Sequence, residues 1–136
     1  MGRFGMELKL ANSIDAANVE RGLLSPDQVR RMTIQGVVDT GATRLIIPAS
    51  VAEQLGGREA GQTRMRYADG RTATRKLVDD VQVELLDRKA TFRAAVEPDR
   101  TSALIGAIVL EELDLVVDCA TQTLRPRDPE ATVSFC

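Results

Sequence analysis

The chain has 136 residues, 43% of them apolar, with 18 basic and 20 acidic side chains, a formal net charge of -2, and neither histidine nor tryptophan. That length suits one compact domain with a sizeable core, and the interspersed charge gives no field that would draw nucleic acid or a membrane surface. Without imidazole there is no Ser-His-Asp or Cys-His relay, no His-liganded zinc and no histidine pH switch, so acid and base chemistry falls to carboxylates, lysine, tyrosine or thiol.

Taken in order, Arg3 to Leu10 alternates as a strand, with Phe4, Met6, Leu8 and Leu10 on one face and Glu7 and Lys9 on the other, suited to an edge or pairing position. From Ala11 to Arg31 the pattern weakens. Within it, Ser25-Pro26-Asp27-Gln28 sets an N-cap before proline and acid, which reads as one helical turn or a structured loop. Met32 to Val38 returns to strand composition and runs straight into Asp39-Thr40-Gly41-Ala42-Thr43. Leu45-Ile46-Ile47 reads as a buried strand, and Pro48 to Leu55 as a short helix stopped by Gly56-Gly57. Thr63, Met65 and Tyr67 alternate with Arg64 and Arg66, and Asp69-Gly70 supplies a tight hairpin turn with the return strand beginning at Arg71.

Val81 to Leu85 and Ala90 to Val96 flank Asp87-Arg88 as a further hairpin. Ala103-Leu104-Ile105-Gly106 is a fully apolar strand, Ala107 to Leu113 a short helix behind it, and Leu115 to Asp118 and Gln122 to Arg125 two closing strands. Pro126 to Cys136 reads as a surface arm. Short strands joined by hairpins, with one or two short helices, predict an all-β fold closed as a small barrel, one domain over 1–136 with its core at about 32–125.

Cys119 and Cys136 cannot make a disulfide framework and read as reduced thiols. The N-terminal Met1 to Met6 leads into Glu7 and Lys9 without the apolar run of a secretory signal, and no stretch approaches the roughly 18–20 apolar residues of a membrane span. The expectation is a soluble, cytoplasmic protein.

An internal echo adds to the picture. Val37-Val38-Asp39-Thr40-Gly41-Ala42, its following apolar strand and the helix ending at Leu55 are loosely matched by Leu104-Ile105-Gly106-Ala107 and the helix ending at Leu113. Each unit is an apolar strand, a glycine turn and a short helix, which predicts a pseudo-two-fold internal repeat with an aspartate in the first unit alone. Asp39 leaves a buried strand, and Thr40-Gly41 must bend so that backbone N–H groups point near its carboxylate, where they stabilise the anion. An arbitrary Asp-x-Gly is usually a plain turn after a strand. The flanks here, Val-Val before and Leu-Ile-Ile after, argue for a built site.

With those residues in view, the sequence resembles the retropepsin-like aspartic protease family, the retroviral-type, single-domain branch of acid proteases. The resemblance is carried by Val37-Val38-Asp39-Thr40-Gly41-Ala42-Thr43, by the Asp69-Gly70 hairpin where the family has its flap, and by Ala103-Leu104-Ile105-Gly106 followed by Leu110 and Leu113, over roughly residues 32–125. It implies an acid-protease-type barrel working as a homodimer on a peptide or protein substrate, with Asp39 of each chain sharing a proton and holding the attacking water, and with no metal or cofactor. By the same resemblance Thr40 braces the paired loops, Gly41 offers its carbonyl to substrate backbone, and Leu104-Ile105-Gly106 supports the active-site loop. Tyr67, Asp69 and Gly70 would belong to the flap.

Departures from the family pattern are also legible. Retroviral members follow Asp-Thr-Gly-Ala with another aspartate and the later Ile-Gly with arginine, whereas Thr43 and Ala107 stand here, so both ends of that pair are missing. Ala42 brings no hydroxyl to the carboxylate, and the expected rate optimum lies at about pH 5–6 rather than 2–3. The flap tip Ala68-Asp69-Gly70-Arg71 is polar, and Arg64, Arg66, Arg71 and Arg75 read either as a selector of acidic peptides or as a solvated outer face. Prolines 126 and 129 suit a terminal dimer sheet poorly. Two other readings stand beside proteolysis. An actin-like or sugar-kinase ATPase needs two large lobes that 136 residues cannot supply, and no phosphate-binding Gly-x-x-x-x-Gly-Lys loop is present. A non-catalytic dimeric binding or regulatory module on the same fold remains open.

Overall fold

The computed structural model describes residues 3–130. Its nine strands are β1 Arg3–Asn12, β2 Arg31–Asp39, β3 Leu45–Pro48, β4 Glu59–Arg66, β5 Thr72–Leu85, β6 Arg88–Glu97, β7 Ala103–Ile105, β8 Leu115–Asp118 and β9 Thr123–Pro126. Three helices, α1 Ser13–Glu20, α2 Ala49–Leu55 and α3 Ala107–Glu112, and a single 3-10 turn at Pro26–Gln28 complete it.

Seven strands form one sheet in the order β1-β2-β7-β3-β6-β5-β4, and β1 pairs again with β5. That second pairing closes six strands into a barrel and leaves β4 hydrogen-bonded to β5 alone. Closure removes the exposed edge that the alternation of β1 had suggested. It works because Leu8 and Leu10 are buried while the intervening side chains stay outside. The interior is filled from five of the six barrel strands by Leu8, Leu10, Val38, Ile47, Val81, Val83 and Ile105, each at most 1% exposed. Burial of each such side chain is worth about 1.5–3 kcal/mol.

Two pairings in the barrel are parallel, β2 with β7 and β3 with β6. In each, a strand runs beside the short strand that precedes a helix: β2 beside β7, which leads into α3, and β6 beside β3, which leads into α2. The internal repeat therefore matches β3–α2 with β7–α3, one strand later than the sequence echo placed it.

The weakly patterned segment holds together through polar contacts. Asn12, buried, caps α1 by accepting from the N–H groups of Ile14 and Asp15, at 2.9 and 3.1 Å, and donates to the Leu55 carbonyl at the end of α2. Asp15 then receives both the backbone N–H and the guanidinium of Arg30. What looked like two strands around the predicted turn at Arg71 and the run from Val81 is one 14-residue strand, β5. Its pairing with β6 slips between Val78 and Val81, where Asp80 takes a positive φ of 68° and Arg58 ties off its carboxylate. Such a bulge bends a strand without ending it. The β5–β6 turn falls at Leu86-Asp87, both at positive φ. At the far end Pro126 pairs with Leu115, and Arg127 is bound to the buried Asp114. The rest of the expected arm, residues 131–136 with Cys136, lies outside the described residues; Cys119 is an exposed free thiol.

Candidate active site

Asp39 is the last residue of β2, which lies between β1 and β7. It is 5% exposed, whereas Thr40 and Gly41 immediately after it are on the surface. The turn folds back on the carboxylate: the Gly41 N–H donates to Asp39 Oδ1 at 2.9 Å, and the Ala42 N–H to the Asp39 carbonyl at 3.1 Å. One anticipated donor is thus in place. A second partner was not anticipated. Arg3 sits opposite Asp39 in the β1–β2 register, and its Nη2 lies 2.7 Å from Asp39 Oδ2.

The support beneath the loop is β7. Val37 pairs with Leu104 and Val38 with Ile105, and α3 begins directly against the loop, where the N–H groups of Ala107 and Ile108 donate to the carbonyls of Ala42 and Thr43 at 2.8 and 3.0 Å. The two helix-opening amides so consumed are groups that a helix cannot satisfy by itself. Gly106 has to be glycine for this contact. A Cβ there would stand 2.8 Å from the Ala42 carbonyl oxygen and from both the N and O of Arg44, all of them backbone. Leu104, Ile105 and Gly106 therefore lie against the Asp-Thr-Gly-Ala loop.

The hairpin β4–β5 extends past the closed barrel strands and turns through Tyr67 to Arg71, with the Gly70 N–H donating to the Tyr67 carbonyl at 2.9 Å and Gly70 at φ 87°. Register places Thr63, Met65, Ala73 and Arg75 on one face. Met65 packs on an apolar group made by Ile46, Leu77, Ala95 and Leu104, which Val37 and Ala42 also join. That patch links the hairpin to the Asp39 loop. It is a cluster apart from the main core, and its apolar surface lies on the Asp39 side of the sheet.

Asp69 caps the turn, accepting from the Arg71 backbone and guanidinium at 3.0 and 2.7 Å, so its carboxyl sits below the usual range. Tyr67 donates its hydroxyl to Glu97 Oε2 at 2.5 Å, and the hydrogen bond to that carboxylate pushes the phenol above its ordinary value. Arg75 also reaches Glu97, and the guanidinium groups of Arg71 and Arg75 lie 5.0 and 5.9 Å from the Tyr67 ring centre. Sequence reasoning missed Arg3 and Glu97. Arg3 was legible in principle, because an antiparallel partner of β2 must place some residue opposite Asp39. Glu97 ends an ordinary strand and carries no local signal. Among the described residues no three His, Cys, Asp or Glu side chains converge as metal ligands.

A family model of aspartyl proteases matches residues 28–109, more than half of the chain and the whole run from Asp39 through β7. The chain belongs to the aspartyl protease family. No curated protein matches it. Among solved structures it is similar to the EIAV protease complexed with the inhibitor HBY-793, at a TM-score of 0.59 and 16% identity, over 82% of this chain and 88% of that one. At such identity the likeness is one of fold. The barrel of this aspartyl protease family member is of the retropepsin type, as the motifs implied.

Proposed function

We propose that the protein is an aspartic endopeptidase whose active form is a homodimer, each protomer supplying one Asp39. The observation that carries this reading is a single buried carboxylate, fixed by a glycine turn and backed by β7, beside a surface loop of Thr40 and Gly41. Peptide hydrolysis by carboxylates needs two of them, because one must take a proton from water while the other gives one to the scissile carbonyl. Only a second copy provides the second Asp39 in the same setting.

In the dimer the two carboxylates hold one proton between them, since like charges about 3 Å apart do not both ionise. The ionised Asp39 takes a proton from the bound water as its oxygen attacks the carbonyl carbon. The protonated Asp39 gives its proton to the carbonyl oxygen, leaving a neutral tetrahedral diol. Collapse breaks the C–N bond: the Asp39 that took the water proton gives it to the departing nitrogen, and the other Asp39 takes the proton of one diol hydroxyl as that oxygen becomes the product carbonyl. The hairpin β4–β5 covers the peptide, and the apolar patch of Val37, Ile46, Met65 and Leu104 offers its side chains an unwetted wall.

One observation favours the second reading, a dimeric binding module without catalysis: in the single chain the Asp39 carboxylate is already paired with Arg3. Incubating the protein with a diverse peptide mixture at pH 4–8, beside Asp39→Asn, and reading new termini by mass spectrometry separates the two. Endopeptidase activity gives new termini that vanish in the variant. No new termini, or equal cleavage by Asp39→Asn, overturns it.

A further inference from the structure

The β4–β5 hairpin has little to hold it. β4 is bonded to β5 alone, its pairing slips between Glu59 and Gln62, and none of its residues is fully buried. Such an element opens easily unless its tip is anchored. Three side chains supply an anchor. Glu97, 8% exposed at the end of β6, accepts the Tyr67 hydroxyl on one oxygen and the Arg75 guanidinium on the other, so that both its oxygens are engaged by the hairpin. Arg71 and Arg75 lie beside the Tyr67 ring, which limits the rotation that would release the hydroxyl. Tyr67 immediately precedes the turn and Arg75 lies on the returning strand, so one carboxylate grips both arms.

The other end of this anchor matters as much. Glu97 pairs with Pro48 at the end of β3, and the next residues, 98–102, lead into β7. The hairpin tip is therefore fastened to the segment that continues into the support of Asp39. We propose that Glu97 is the latch of the hairpin, a positioning residue that holds Tyr67 and Arg75 so that the turn stays folded onto the barrel, and that the latch sets how firmly a peptide is retained. The second half rests on the endopeptidase reading; the first does not.

Tyr67→Phe tests it, because this change removes the hydroxyl alone and leaves the ring and the Arg75–Glu97 pair. Hydrogen exchange followed across the chain is expected to accelerate about tenfold in residues 63–75, as for loss of one hydrogen bond to a charged acceptor, with β1, β2 and β7 unchanged. Glu97→Gln is expected to act in the same direction and on the same residues. With a cleaved peptide, KM is expected to rise about three- to tenfold in Tyr67→Phe with kcat changed less than twofold. Unchanged exchange in the hairpin, or acceleration spread evenly over the chain, overturns the latch, and an unchanged KM overturns its part in holding substrate. Hairpin-confined acceleration in a protein that cuts no peptide, wild type included, leaves the latch standing and removes the endopeptidase reading.

Discussion

Arg3 and Asp39 face each other across the β1–β2 ladder, and the arginine places Nη2 on Asp39 Oδ2 while the Gly41 N–H donates to Oδ1. The two residues live in different surroundings, since the arginine side chain is 70% exposed and the aspartate 8%. A pair with one partner so exposed adds little to the stability of the fold, below about 1 kcal/mol. In the proposed homodimer its weight falls on the approach of a second carboxylate. Two Asp39 side chains brought together repel, and a cation beside each offsets part of that repulsion.

Arg3→Ala is accordingly expected to leave the urea midpoint of the dilute protein almost unmoved and to weaken self-association by about three- to tenfold. Sedimentation equilibrium measures it. Tighter association in the variant would mean that the guanidinium obstructs the meeting of the two chains.

Gly106→Ala tests the seat of the loop. The new methyl would lie 2.8 Å from three backbone atoms of residues 42 and 44, none of which can rotate away. Either α3 or the loop must shift, at a cost of about 1–3 kcal/mol. Denaturant unfolding gives the stability loss, and peptide cleavage is expected to fall further than that loss explains, because the displaced segment adjoins Asp39.

Asp15 gives a pH-dependent prediction away from the site. The Arg30 guanidinium, donating to both carboxylate oxygens, holds Asp15 below the usual carboxylate range. A depressed carboxyl contributes stability that is present above its unfolded value, about 4, and is lost as pH falls through the folded one. Asp15→Asn should therefore cost about 1–2 kcal/mol at pH 7, a modest figure because the Arg30 side chain is half exposed. Melting curves from pH 7 to pH 2 are expected to show the gap between wild type and variant closing only below about pH 4. A gap that stays constant to pH 2 would assign the loss to packing.

These elements differ in how far the amino-acid order announced them. Strands with one wet face, such as β1, were legible because Phe4, Met6, Leu8 and Leu10 alternate with polar residues. The Asp39 loop was legible through its fixed motif and through Leu104-Ile105-Gly106. Helix α1 was not, because its order depends on Asn12 and on the Asp15–Arg30 bridge, contacts between residues up to 43 positions apart. The length of β5 was hidden for a related reason. Asp79 and Asp80 set two adjacent carboxylates inside the strand, yet Arg93 and Arg58, supplied by other strands and loops, neutralise them and let the strand pass through. Glu97 likewise gains its meaning only from Tyr67, 30 residues away.

The arginines of the hairpin are the last case, and their pairing favours the solvated outer face over the selector of acidic peptides. Arg71 is bound to Asp69 and Arg75 to Glu97, so these two are occupied by carboxylates of their own chain. Arg64 and Arg66 pair in register with Thr74 and Thr72, on the exposed face opposite Met65 and Ala73. None of the four is therefore placed as a free cation on the face that bears Met65. The Arg64→Gln, Arg66→Gln double variant is expected to cut a peptide library with rates within about twofold of wild type and with no change in preference for acidic residues, since removal of exposed charges far from a partner changes little. Sequencing of the cleaved termini by mass spectrometry decides it. A selective loss of cuts beside Asp or Glu in that variant would mean that the outer face of the hairpin does meet substrate.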